Sequence, residues 1–115
     1  MRRPRGTLLT TRQMYDRLLA RASRDESGCL IWHGGVTARG YTQIWDGAKV
    51  YLGHRVVVMA ETGEPIPEGM TVDHLCGVKR CIEITHLEVV SRRENWERAL
   101  AAGRMPWIKR ERTNA

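Results

Sequence analysis

A chain of 115 residues with a formal charge of +6 and a sequence pI of about 9.8 is one domain by length, and its charge favours an anionic partner, nucleic acid first and an anionic membrane surface second. Hydrophobic residues make up 42%, yet Phe is absent and 11 glycines imply many turns; so small a core is short of apolar burial, and a bound metal is an expected source of stability. No apolar run approaches the roughly 20 residues of a membrane-spanning helix, and the basic start Met1-Arg2-Arg3-Pro4-Arg5-Gly6 has no apolar stretch behind it, so no signal peptide is expected.

Residues 1–10 read as a basic flexible arm, against the plainer reading of a terminus with no role. Residues 11–22 read as a packing helix, because Met14, Tyr15, Leu18, Leu19 and Ala22 recur at helical spacing and Thr10 or Thr11 can cap the start. A turn at 24–28 precedes three short strands, 29–33, 41–45 and 49–52, expected to form one small antiparallel sheet. Asp46-Gly47 is the hairpin signal, since both residues tolerate positive φ. Residues 54–62 contain three consecutive valines, which suit a strand, but their length and the Gly63 stop favour a helix. Met70 to His74 and Leu87 to Val90 read as strands flanking a cysteine loop. Ser91-Arg-Arg-Glu94 is a capping box, opening a helix to about Ala102 with Gly103 as its stop. A basic tail, 104–115, holds Trp107, read as packing before base stacking. The fold class is α+β: a single domain over 11–103, with its strand–loop–strand–helix core at about 70–102.

That core concentrates the chemistry. Cys76, Cys81 and His86 follow one another at intervals of five, and thiolate with imidazole is the donor set that zinc prefers. Three cysteines cannot all pair within one chain, and without an export signal a reducing compartment favours metal over disulfides. Cys29 is the remaining cysteine and the favoured fourth ligand; water, His33 or His54 are rivals, and three buried residues without metal are the bland reading. His54 is more often a packing histidine than a ligand. Asp73 and His74 stand just before Cys76, and Asn95 follows His74 by 21 residues.

A histidine on the first strand and an asparagine on the helix form the ββα-metal arrangement. Asp-His-Leu-Cys at 73–76, Cys81, His86-Leu87-Glu88 and Glu94-Asn95 carry a resemblance to the HNH endonucleases, in their zinc-stapled branch related to His-Cys box homing endonucleases and small phage HNH proteins. Gly28-Cys29, Trp32-x-Gly34, Gly40-Tyr41 and His54-Arg55 fit as well, so the resemblance covers roughly residues 28–98. It implies His74 as the general base toward water, Asn95 as a ligand of a catalytic Mg²⁺ or Mn²⁺, and Asp73 as a second ligand. It implies Cys29, Cys76, Cys81 and His86 as ligands of a structural zinc. Arg39 and Arg55 are candidates for an arginine near the leaving group. With Lys79, Arg80, Arg92 and Arg93 they are candidate DNA contacts. Relatives commonly read Cys-x-Asn-Pro-x-His where this chain reads Cys81-Ile-Glu-Ile-Thr-His86. Glu83 and Ile84 therefore leave the loop conformation open, and an added carboxylate should weaken DNA binding somewhat.

These residue types suit phosphodiester hydrolysis. A neutral imidazole accepts a proton near physiological pH, and a hard cation prefers a carboxylate plus an amide oxygen. A zinc with four protein ligands is closed to water and hence structural. Each of the three also has a plainer reading: His74 as a structural histidine, Asn95 as a helix-start residue, Asp73 as a surface carboxylate or a partner of Arg55. The expected activity is hydrolysis of double-stranded DNA, in the cytoplasm, or the host cytoplasm if the chain is phage-encoded. A homodimer and a phage packaging assembly are the protein partners considered. The alternatives are a non-catalytic zinc-stabilised DNA-binding module and a structural adaptor of such an assembly.

Overall fold

The computed structural model describes residues 8–103; the tail, with Trp107, and the arm up to residue 7 lie outside them. Helix α1 (Thr11–Ala20) starts at Thr10, whose hydroxyl accepts from the Gln13 amide while the Gln13 side chain accepts from the Thr10 amide, satisfying two donors that the first turn leaves open. Its buried face is Met14, Tyr15 and Leu18. That face meets helix α2 (Gly53–Thr62), where Val56, Val57 and Val58 are buried. The valine run is therefore helical. Gly63 ends it in the left-handed conformation at φ 74°, its amide bonding the Met59 carbonyl, as a C-terminal glycine does. The Tyr15 hydroxyl joins the two helices through the Glu61 carboxylate.

The expected single sheet over 29–52 is not formed. Strand β1 (Ala22–Arg24) pairs antiparallel with β2 (Leu30–Trp32), while β3 (Gln43–Trp45) pairs with β4 (Val50–Leu52) in a separate hairpin. The Asp25 carboxylate explains the first hairpin: it accepts from the amides of Ser27 and Cys29, and Gly28 supplies φ +89°. The other edge of β2 is occupied by the cysteine loop, with the Trp32 amide on the Arg80 carbonyl and the Ile82 amide on the Leu30 carbonyl. No edge of β2 is left for β3. At the second hairpin only Gly47 takes positive φ; Asp46 instead accepts from the Ala48 and Lys49 amides through its side chain, a carboxylate-closed turn in place of a two-residue one.

Strands β5 (Met70–His74) and β6 (Leu87–Ser91) pair antiparallel, His74 opposite Leu87 and Asp73 opposite Glu88. A short 3₁₀ turn, Ile84–His86, leads into β6, and helix α3 (Arg92–Ala101) follows and packs on both strands. Ser91 accepts from the Glu94 amide, the first half of the expected capping box. The Glu94 carboxylate goes instead to Arg98, one turn further on, at 2.7 Å. The result is a small α+β fold of three helices and short antiparallel sheets. Its core runs from Leu18 through Val56, Val57 and Val72 to Ile82 and Leu87. Among the described residues no helix is long and apolar enough to cross a membrane.

Candidate active site and metal centre

Cys29 enters from the hairpin before β2, Cys76 and Cys81 from the loop after β5, and His86 from the 3₁₀ turn. Their ligand atoms all lie within 4.8 Å of one another. His86 Nδ1 is 3.6 Å from Cys29 Sγ and 3.5 Å from Cys81 Sγ. A tetrahedron with Zn–S near 2.3 Å and Zn–N near 2.0 Å sets its ligand atoms about 3.5–3.8 Å apart; the two contacts to His86 match that spacing, and three thiols with one imidazole are a donor set compatible with zinc. The rival histidines lie elsewhere: His33 bonds the Ser23 hydroxyl, and His54 stacks on Tyr41. Burial pushes the Cys81 thiol up to about 12, so a cation must draw off its proton before it can ligate.

The departure at Glu83 has a structural role. Its carboxylate accepts from the amide and hydroxyl of Thr85, capping the 3₁₀ turn, and pairs with Arg24 at 2.6 Å. The same Arg24 bonds the Gly28 carbonyl, so the added carboxylate is neutralised and binds the loop to the hairpin that presents Cys29. The turn is thus held by an acid and by an arginine from another element.

Beside the metal centre is a cleft of about 510 Å³ lined by Asp73, His74, Asn95, Arg39, Lys79 and the Tyr41–His54 wall. Asp73 and His74 close β5 and are nearly buried. Burial lowers the His74 pKa, partly opposed by a backbone hydrogen bond to Cys81 and by the Asp73 charge. His74 Nε2 is buried and, among the described residues, has no hydrogen-bond partner. The His54 ring lies 4.6 Å from the His74 ring, and Tyr41 stacks on both. His54 is itself pushed down to about 3, first by burial and then by His74 and Arg55.

The basic residues divide. Lys79 Nζ donates to the Arg39 carbonyl at 3.0 Å and sits over the Tyr41 ring, so both flank the cleft. Arg80 directs Nε and Nη2 to the Trp32 carbonyl. Arg55 lies on α2 and is not among the lining residues. Arg92 and Arg93 are exposed on α3, the latter paired with Glu97. Asp73 pairs with Arg98, not with Arg55.

Residues 51–96 match the family model described as HNH endonuclease. This segment belongs to the HNH endonuclease family. It contains Asp73, His74, Asn95 and three of the four metal-centre residues; Cys29 lies outside it. The chain is also similar to two proteins of Escherichia phage T7. It is 37% identical to Protein 7.7 over 76 residues, covering 66% of this chain and 58% of that one. It is 33% identical to Protein 2.8 over 85 residues, covering 72% and 57%. The chain thus spans under three fifths of either relative. No solved structure matches it.

Sequence reasoning named Tyr41 and His54 as matching positions but did not reach their stacking on His74 at the cleft, or the Arg98 contact. The signal for Arg98 was its place three residues after Asn95, on the same helix face.

Proposed function

We propose that the protein is a metal-dependent HNH endonuclease that hydrolyses phosphodiester bonds of double-stranded DNA, held together by a structural zinc on Cys29, Cys76, Cys81 and His86. The observation that carries this reading is one cleft lined by Asp73, His74 and Asn95 together with the cationic Arg39 and Lys79. His74, which lines this cleft and whose Nε2 has no partner among the described residues, accepts the proton of the attacking water. The Asp73 carboxylate and the Asn95 amide oxygen are the hard donors that suit Mg²⁺ or Mn²⁺. Such an ion, when bound, neutralises phosphate charge and stabilises the leaving 3′-oxygen. Arg39 and Lys79 attract and orient the phosphate, and exposed Arg92 and Arg93 extend the basic path along α3. The zinc, closed by four protein ligands, keeps the loop and thereby the His74 ring in place. The products are 5′-phosphate and 3′-hydroxyl ends.

A supercoiled-plasmid assay with and without Mg²⁺ tests the reading, beside His74→Ala protein of unchanged zinc content. Wild type should nick or linearise the plasmid, and the variant should be about 10²–10⁴-fold slower, the usual worth of a general base. Cleavage undiminished in chelator while zinc is retained would sink the mechanism. Binding without cutting in both proteins would mark a DNA-binding module instead.

A further inference from the structure

Asp73 and Glu88 stand directly opposite each other in the β5–β6 ladder. Two carboxylates in such a cross-strand pair repel. Arg98 resolves the conflict: its Nη1 lies 3.0 Å from Asp73 Oδ2 and 2.6 Å from Glu88 Oε1, and its Nη2 bonds Glu94 Oε2 at 2.7 Å. The contacts are unequal. The Asp73 side chain is 7% exposed, whereas those of Glu88 and Glu94 are about half exposed, at 47% and 50%. Exposed pairs contribute little by themselves, so Glu88 and Glu94 act chiefly to aim the guanidinium at the one buried acid. Arg98 and Asn95 lie three apart on α3 and share a face. One helix therefore brings Asn95 to the cleft and clamps Asp73, and the clamp sets the spacing between the strand and the helix.

We infer that Arg98 is a positioning residue for the catalytic cation: it fixes Asp73 through Oδ2 and thereby holds Asp73 in register with Asn95. This rests on the reading of Asp73 and Asn95 as ligands. Among the described residues Asp73 Oδ1 makes no side-chain hydrogen bond or ion pair, which leaves that oxygen for the ion. Partners that orient a ligating carboxylate are typically worth 10–100-fold in metal affinity. A guanidinium that was merely a nearby positive charge would have the opposite effect, since removing it would tighten cation binding.

The test is Mn²⁺ binding by titration calorimetry on the full zinc-loaded chain, for wild type, Arg98→Met, Arg98→Lys and Asp73→Asn, with zinc content and thermal melts alongside. Arg98→Met should weaken Mn²⁺ binding at least about tenfold with zinc stoichiometry unchanged. Arg98→Lys should recover part of the loss, because an ammonium can hold Asp73 but lacks the fork that also engages Glu94. Unchanged or tighter binding in a folded Arg98→Met protein overturns the inference. Should that variant fail to melt cooperatively, Glu94→Ala carries the test by freeing one arm of the guanidinium while keeping its charge. A several-fold weakening is then expected, and unchanged affinity is fatal. Wild type binding no tighter than Asp73→Asn would overturn the ligand reading itself, a result distinct from Arg98→Met matching a wild type that does bind.

Discussion

Cys29 and Cys81 converge on a single nitrogen: their Sγ atoms lie 3.6 and 3.5 Å from His86 Nδ1. Around this point the hairpin before β2 is fastened to the loop before β6, and backbone bonds between residues 30–32 and 80–82 run alongside. Losing the metal should therefore loosen both. Cys29→Ser is expected to lower zinc content below one per chain and to destabilise by about 2–5 kcal/mol, taking the cost of breaking a comparable cross-link as the scale. For a domain of this size that is on the order of 10 °C or more in melting temperature. Atomic absorption and a thermal melt check it. A variant that melts like wild type with zinc retained would remove Cys29 from the ligand set.

Gly53 opens α2 against Thr42. A Cβ there would lie 2.3 Å from Thr42 Cγ2 and 3.3 Å from Leu18 Cδ2, and the Gly53 amide bonds the Thr42 carbonyl. Thr42 and Leu18 are both fully buried and have nowhere to retreat. Gly53→Ala should gain helix propensity yet lose more to overpacking, a net destabilisation of about 1–3 kcal/mol. Urea unfolding measures it, and a stabilised variant would show that the Thr42 side chain can swing aside.

The buried His54 gives an acid sensitivity whose sign is set by its pKa. In the fold it is lowered from 6.5 to about 3, chiefly by burial, so the unfolded chain takes up a proton that the folded one refuses. The stability held by neutral His54 is complete above pH 6.5 and drains as pH falls from there toward 3, at up to about 1.4 kcal/mol per pH unit. His54→Gln removes the titration. The stability difference between wild type and variant, measured with zinc content checked at each point, should shift by about 2 kcal/mol between pH 7 and pH 5. A difference that stays flat would mean that the cleft accepts the charged ring.

Much of the strand–loop–strand–helix core was legible because each of its elements carries a local signal. Ser91 caps α3, Gly63 stops α2, and the Val72–His74 and Leu87–Val90 runs frame a loop rich in metal-binding residues. What stayed hidden depends on partners far along the chain. Strand β1 is three residues with two polar side chains, formed only because the Asp25 turn folds β2 back upon it. The division of the expected sheet follows from residues 80–82 occupying the outer edge of β2. Arg98 sits on a helix with no buried residue, where a charge reads as solvated until Asp73 is found beneath it. Glu83 looked like a loss of loop stiffness because its compensating arginine, Arg24, comes from β1.

Lys79 and Arg80 are neighbours with different duties, and salt dependence should separate them. Lys79 is exposed beside the cleft and its ammonium donates to a single carbonyl, that of Arg39. Arg80 places two nitrogens on the Trp32 carbonyl and so helps fasten the loop to β2. If DNA runs through the cleft, each neutralised phosphate adds about 0.9 to the slope of log affinity against log salt. Lys79→Ala should then reduce the slope by roughly that amount and weaken binding alike for every sequence. Arg80→Ala should leave the slope near its wild-type value and lower the melting temperature, since a part-buried carbonyl loses its charged donors, a loss on the order of 1 kcal/mol. Fluorescence anisotropy on a duplex from 50 to 200 mM salt, beside thermal melts, reads both. Equal slopes for wild type and Lys79→Ala would take Lys79 off the phosphate path, and a reduced slope for Arg80→Ala would place its guanidinium on DNA despite its hold on Trp32.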